Sequence, residues 1–238
     1  MSPASDIESL LREVRNEYLC RMTAGNGALL RQVEHYVTSR SGKMLRPRLL
    51  LSAAATLGPE RLLSRRTLLL AVCVEMLHNA SLLHDDVIDH AQSRRGQPSV
   101  NALYNNAVAV LVGDYHFTQI MLLLDEVADS EATRMINSVI MAMVEAELLQ
   151  QEAANGGEKA NAGLTATQYL KIIDGKTANL FALAAELGNP AYRDYGFHYG
   201  RLFQLRDDQA DGEAIPDTAR LIDEEERAIK ALDHVLNL

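Results

Sequence analysis

The apolar residues of this chain recur at helical spacing over most of its length. No stretch alternates apolar and polar residues with the period of two that a half-buried strand needs. Over residues 6–40, Ile7, Leu10, Leu11, Val14, Tyr18 and Met22 form an i, i+3, i+4, i+7 stripe, with Ser5 or Asp6 as the predicted N-cap. Further helices are predicted over 45–57, 65–90, 100–125, 131–154, 165–187 and 192–211. The breaks between them carry Gly58-Pro59, Gly96-Gln97-Pro98, Asn155-Gly156-Gly157 and Gly188-Asn189-Pro190. After Asp211 the acidic run Asp223, Glu224, Glu225 and Glu226 predicts one more helix with a solvated face. The pattern implies an all-α protein, a bundle of long helices. Residues 1–238 read as a single domain with a polar loop at 156–161. A chain with 5% aromatic residues and no Trp is a poor candidate for a β-sandwich or barrel.

Charge narrows the function. There are 32 acidic residues against 23 Lys and Arg, a formal net charge of -9, and nonspecific nucleic-acid binding needs the opposite balance. No nucleic-acid partner is expected, although local basic clusters can still take a small anion. Cys20 and Cys73 are too few and too far apart for a disulfide framework or zinc site, and Cys73 reads as a core residue. The N-terminal MSPASDIESL shows no signal-peptide pattern. Unbroken apolar runs fall well short of the ~20 residues of a membrane span. The expectation is a cytoplasmic protein without a transmembrane segment.

The chemistry is concentrated in HNASLLHDDVIDHAQSRRG, where Asp85, Asp86 and Asp89 form a DDxxD array within an apolar helix. Asp85 and Asp89, four apart, project from one helix face. Their repulsion among apolar neighbours is most simply offset by a hard divalent cation with oxygen ligands. Asp207, Asp208 and Asp211 in FQLRDDQAD repeat the spacing. Two such arrays facing one another would hold a small Mg²⁺ cluster, and because Mg²⁺ is rarely caged by protein alone, a diphosphate is the natural bridge.

Cations stand where a phosphate ligand needs them. GKMLRPR supplies Lys43, Arg46 and Arg48, with Gly42 permitting close backbone approach and Pro47 suited to a first helical turn. Arg94 and Arg95 follow the first array, Gly96 is expected to end that helix, and Lys176 and Thr177 lie in DGKTANLF.

In order and spacing these elements resemble the all-trans isoprenyl (polyprenyl) diphosphate synthases. The matching elements are Gly42-Lys43-Met44-Leu45-Arg46-Pro47, Glu75 to Asp86 with Asp89, Arg94-Arg95-Gly96, Val112-Gly113-Asp114-Tyr115, Gly175-Lys176-Thr177, and Phe203-Gln204 leading to Asp207 and Asp211. The resemblance spans about residues 40 to 211. It implies an all-α fold around a deep central cavity, the isoprenoid synthase fold, assembled as a homodimer. It also implies that Asp85, Asp86, Asp89, Asp207, Asp208 and Asp211 hold Mg²⁺ against the diphosphate of an allylic prenyl substrate. Arg94 and Lys176 would contact that diphosphate, with Thr177 and Gln204 nearby. Gly42, Lys43, Arg46, His78 and Arg95 would hold isopentenyl diphosphate.

The implied reaction is head-to-tail condensation. Metal and protein cations stabilise the departing diphosphate as the allylic C–O bond ionises, and the isopentenyl double bond attacks the cation. Ala80 and Ser81, one turn before Asp85 with Leu77 deeper, are small where relatives making short products commonly carry aromatics. They predict a product of geranylgeranyl length or longer. Two departures stand out: Ala146 occupies a position commonly Gly, and the chain is short after Asp211 for the family. The alternatives are an inactive isoprenoid-binding or regulatory subunit, or a terpene cyclase. Six buried carboxylates argue against the first, and the isopentenyl diphosphate set against the second.

Overall fold

The computed structural model describes residues 3–25, 27–39, 42–154, 164–232 and 236. The break expected at 155–157 and the loop at 156–161 lie outside these residues. The chain divides into two compact units, Met1–Leu51 with Leu63–Asp129, and Ser52–Leu62 with Ser130–Leu238.

In the first unit, α1 (Pro3–Thr23) begins before the expected cap, so Ser5 and Asp6 lie inside the helix, Asp6 in its first turn. The stripe expected over 6–40 is two helices, because α2 (Ala28–Ser39) starts after a break. Val14, Tyr18 and Met22 of α1 are buried. The helix α3 (Leu45–Ala55) carries Pro47 in its first turn. The short α4 (Pro59–Leu62) belongs to the second unit; in the first, α5 (Arg65–Ile88) opens on Ser64, whose hydroxyl accepts the Thr67 N–H at 3.1 Å. Nearly all of α5 from Leu69 to Leu77 is fully buried, Cys73 included, which pushes its thiol up to about 12.

The helix expected over 100–125 is interrupted. After α6 (Val100–Leu103), the Asn105 side chain accepts the Val108 N–H at 2.9 Å and starts α7 (Asn106–Val127) afresh. Val33, Leu83, Val100, Ala109 and Val112 close a core between α2, α5, α6 and α7. By length and composition α5 and α7 are apolar enough to cross a bilayer, which a count of unbroken apolar runs does not detect. In α5 the apolar window is 72% buried, as in a core helix; in α7 it is 44%.

Between α5 and α6 the chain forms a small two-stranded ribbon, β1 (Ser93–Arg94) paired antiparallel with β2 (Gln97–Pro98). The intervening Arg95 and Gly96 both have positive φ, 53° and 75°, as a tight hairpin turn requires. Gly96 therefore turns a ribbon; α5 has already ended at Ile88.

In the second unit, α8 (Ser130–Ala154) is followed by α9 (Ala166–Ile173), which starts on a Thr165–Gln168 capping box. The helix expected over 165–187 contains a π-turn, Asp174–Ala178, where the Asn179 N–H reaches the Asp174 carbonyl five residues back. It continues as α10 (Asn179–Gly188), then α11 (Arg193–Asp211) ending on Gly212, and α12 (Thr218–Ala231). Tyr169, Ile173, Leu205, Ile215 and Leu221 form the core joining α9, α11 and α12. The acidic run on α12 is not uniformly solvated: Glu225 is 5% exposed and paired with Arg201.

Candidate active site

The first array lies at the C-terminal end of α5. Its members are unequal: Asp86 is 4% exposed, Asp85 half-buried, and Asp89, the C-cap, exposed. Arg94 on β1 folds back onto Asp86, with Nε at 2.8 Å and a terminal nitrogen at 2.7 Å from Oδ1. Asn101 from α6 ties down the backbone here, donating to the carbonyls of Asp86 and Ala91 at 3.1 Å each. A small cavity beside them is lined by Asn79, Asp86, Arg94, Arg95 and Ser99 and by the apolar Val37, Leu82, Leu83 and Val100.

The basic residues gather in the same unit. Gly42 lies so close to Arg95 that a Cβ there would stand 3.0 Å from the guanidinium. His78 is held well below its ordinary pKa by burial and then by the charges of Arg46, Arg95 and Arg94, so its ring is neutral. Arg46 is buried, which brings its pKa down to about 10 and leaves it charged at neutral pH. Glu75 is buried within reach of the same cations. Burial raises its pKa, opposed by Arg46, Arg95 and Arg15. Gly42, Arg46, His78, Arg94 and Arg95 are thus brought together, while Lys43 is exposed.

The second array ends α11. Asp208 is 7% exposed, and Asp207 and Asp211 are exposed. Asp208 accepts hydrogen bonds from Tyr169 Oη at 2.6 Å and from Gln204 Nε2 at 2.7 Å. Its pKa is raised by burial, with those two bonds acting the other way. The expectation of six buried carboxylates is therefore corrected: only Asp86 and Asp208 are buried. The flanking members look to solvent because positions i and i+4 share a face that the middle residue does not.

Lys176 and Thr177 sit on the π-turn, a feature that inserts an extra residue into a helix and recurs at functional sites. Thr177 Oγ1 donates to Gln204 Oε1 at 2.9 Å, linking the turn to Asp208. Lys176 is half-buried, with Nζ 2.5 Å from Glu147 Oε2 and 3.0 Å from Gln150 Oε1 on α8. Gly175 permits this approach: a Cβ there would lie 2.4 Å from Ala146 Cβ and 2.7 Å from the Ala142 carbonyl oxygen. Sequence reading missed Tyr169 and Asn101, since neither lies near an array in the chain. The half-polar pattern YLKIIDGKT could have drawn attention to Tyr169 only once α9 and α11 were known to pack.

No group of three or more His, Cys, Asp or Glu side chains among the described residues is already gathered for a metal. The donor chemistry nevertheless fits Mg²⁺, which takes one or two carboxylates and completes its shell with water and phosphate. Asp85 with Asp89, and Asp207 with Asp211, offer hard oxygen donors on an accessible face. Of the residues assigned to product length, Leu77 and Ala80 are fully buried and Ser81 is half-buried, its hydroxyl donating to the His78 carbonyl at 2.9 Å.

Residues 27–220 match the Polyprenyl synthetase family. The chain is 36% identical over 200 residues to the all-trans-nonaprenyl-diphosphate synthase (geranyl-diphosphate specific) of Rhodobacter capsulatus, covering 80% of this chain and 59% of that protein. It is 32% identical over 201 residues to the octaprenyl diphosphate synthase of Escherichia coli K12, covering 79% of this chain and 60% of that one. The chain spans about three fifths of the length of these curated relatives. Among solved structures, the polyprenyl synthase of Caulobacter crescentus CB15, complexed with calcium and isoprenyl diphosphate, superposes with a TM-score of 0.82 at 29% identity, covering 98% of this chain and 79% of that one. The profile match over most of the chain, the identity to these synthases and the shared all-α fold lead to one conclusion: the protein belongs to the polyprenyl synthetase family.

Proposed function

We propose that this chain is a trans-prenyltransferase that condenses isopentenyl diphosphate with an allylic prenyl diphosphate, giving a product of geranylgeranyl length or longer. The observation that carries the reading is the meeting of opposite charges in one unit, where Arg46, Arg94 and Arg95 surround neutral His78 beside the first acidic array. A carboxylate array next to a guanidinium cluster suits a ligand that brings its own anion and a bridging cation. Names of relatives agree in class, from geranylgeranyl to nonaprenyl diphosphate synthases.

In this reading Asp85, Asp86, Asp89, Asp207, Asp208 and Asp211 would hold Mg²⁺, which would supply Lewis-acid stabilisation of the charge on a diphosphate leaving group. Lys176, Thr177, Gln204 and Arg94 bind and orient the allylic diphosphate. Gly42, Lys43, Arg46, His78 and Arg95 bind isopentenyl diphosphate, and buried Arg46 and neutral His78 are desolvated donors whose geometry is set before the ligand arrives. Ser81 borders the path of the tail.

A homodimer belongs to the same proposal. The helix α7 exposes Leu111, Met121 and Leu122, each more than half accessible, on an apolar face that a second copy would cover. So does a cytoplasmic location, supported by the burial of α5 as a core helix.

The test is incubation of purified protein with Mg²⁺, labelled isopentenyl diphosphate and allylic diphosphates of increasing length, followed by product sizing. Products of geranylgeranyl length or longer are expected, and no extractable product with any primer would overturn the reading. Sedimentation of the parent and of Met121→Glu tests the dimer, with only the variant sedimenting as a monomer.

A further inference from the structure

Three residues at i, i+3 and i+7 on α11 form one stripe of contacts to the segment before it. Arg201 bonds Asp174, Gln204 bonds Thr177, and Asp208 bonds Tyr169. The second and third belong to the site already described; the first does not. Arg201 Nε and a terminal nitrogen grip the two oxygens of Asp174 at 2.5 and 2.7 Å, a bidentate fork. Its remaining nitrogen donates to Glu225 Oε1 on α12 at 3.1 Å. Glu225 Oε2 lies 2.5 Å from His198 Nδ1, one turn before Arg201, and the guanidinium lies 4.6 Å from the Phe197 ring centroid.

Asp174 is the first residue of the π-turn, and its carbonyl accepts the bond that closes the turn. Such turns are rare interruptions of the α-helix, mostly a single turn long, and persist where their surroundings hold them. We propose that Arg201 is a positioning residue: it fixes the π-turn through Asp174, so that Lys176 and Thr177 meet the ligand's diphosphate, and α12 locks Arg201 in that pose through Glu225. The inference rests on the reading of Lys176 and Thr177 as diphosphate contacts. It assigns α12, which carries no residue of the resembling motifs, a part in substrate binding.

Steady-state kinetics with Mg²⁺, isopentenyl diphosphate and geranyl diphosphate test it on the full chain, alongside thermal unfolding and amide exchange over residues 171–179. Lys176→Ala is the reference. By analogy with groups that orient a ligand from behind, Arg201→Met is expected to raise KM for geranyl diphosphate by roughly 10-fold or more and leave KM for isopentenyl diphosphate unchanged. It should also speed amide exchange in the turn. Arg201→Lys, which keeps the charge but not the fork, should fall between, and Glu225→Gln should raise the same KM by a smaller factor. The exchange Asp174→Arg with Arg201→Asp should recover part of the loss. If Arg201→Met fails to fold, Arg201→Lys and Glu225→Gln carry the test. A raised KM in Lys176→Ala with an unchanged KM in the Arg201 and Glu225 variants overturns the inference and leaves the diphosphate reading standing. An unchanged KM in Lys176→Ala, or no product from the parent protein, overturns both.

Discussion

Arg94 places two donors on a single oxygen of Asp86, Nε at 2.8 Å and a terminal nitrogen at 2.7 Å from Oδ1. The contact depends on the β1–β2 ribbon, whose turn at Arg95-Gly96 reverses the chain after α5. Because Asp86 is 4% exposed, removal of Arg94 strands a desolvated carboxylate. Arg94→Ala should destabilise the metal-free protein by about 1–3 kcal/mol in urea unfolding. In the double-mutant cycle with Asp86→Asn, the two losses should sum to more than the double variant shows, because each single change removes the same contact. Additive losses would mean that the pair contributes nothing as a pair.

Tyr169 donates to Asp208 at 2.6 Å, and that bond opposes the upward pull of burial on the carboxyl pKa. Tyr169→Phe should therefore raise the Asp208 pKa further. A carboxyl with a folded pKa above its unfolded value binds a proton more tightly when folded, so its contribution to stability falls as pH rises past the unfolded value. The destabilisation by Tyr169→Phe should thus be greater at pH 7, about 1–3 kcal/mol, than at about pH 2.5, well below the unfolded carboxyl value, where Asp208 is protonated in both states. Equal losses at the two pH values would contradict this.

Both arrays, the cations and the helical class were legible because each is a local pattern: spacing on one helix, or residue type at a turn. What was not legible depends on packing between segments distant in the chain. The pairing of Tyr169 with Asp208 and of Asp174 with Arg201 requires α9, the π-turn and α11 to be side by side. The π-turn itself leaves no mark in apolar periodicity, since one extra residue per turn over so short a stretch is lost in the scatter. The break before α7 was legible in principle, as Asn105 is a strong N-cap residue, but the apolar run on both sides masked it.

A buried cluster apart from the arrays gives a second pH dependence. His116 and Glu34 are both 0% exposed. The Tyr18 hydroxyl lies 2.5 Å from His116 Nε2 and 3.4 Å from Glu34 Oε2, and accepts from Asn79 Nδ2 at 3.2 Å. His116 Nδ1 donates to the Val112 carbonyl at 2.8 Å, which leaves Nε2 as the acceptor for the phenol. Burial raises the Glu34 carboxyl to about 8 and lowers His116 to about 4. The histidine makes stability rise from about pH 4 to 6.5, the glutamate makes it fall from about pH 4.5 to 8, and the two nearly cancel where they overlap. Above pH 6.5 only the fall should remain. Glu34→Gln should flatten it in melting curves taken from pH 6.5 to 8.5, and a parent protein whose stability is level over that range would refute the assignment.

The two small residues before the first array should behave differently when enlarged. Ala80 is fully buried, so Ala80→Phe overpacks a closed core and should cost about 1–3 kcal/mol or more. Ser81 is half-buried, so Ser81→Phe should be tolerated within about 1 kcal/mol. If the prenyl tail passes this side of α5, Ser81→Phe shortens the product while melting is little changed. Chromatography of products from the parent and Ser81→Phe decides the matter, and identical lengths would remove Ser81 from the path.

The close approach of the π-turn to α8 can be tested without touching a charged residue. A methyl at Gly175 would meet Ala146 Cβ at 2.4 Å and the Ala142 carbonyl oxygen at 2.7 Å. The first contact is with a side chain and can be removed; the second is with backbone and cannot. Gly175→Ala should therefore push the turn off α8, destabilise the protein by about 1–3 kcal/mol and lengthen the reach from Lys176 to Glu147 and Gln150. Adding Ala146→Gly frees the Cβ contact and should recover part of the loss, but not all of it, because the carbonyl remains and a helix-interior glycine itself costs about 1 kcal/mol. Recovery should appear in thermal unfolding and in KM for the allylic diphosphate together, since both follow the position of one turn. Full recovery would show that the Ala142 carbonyl yields, and no recovery that the Ala146 contact never set the spacing.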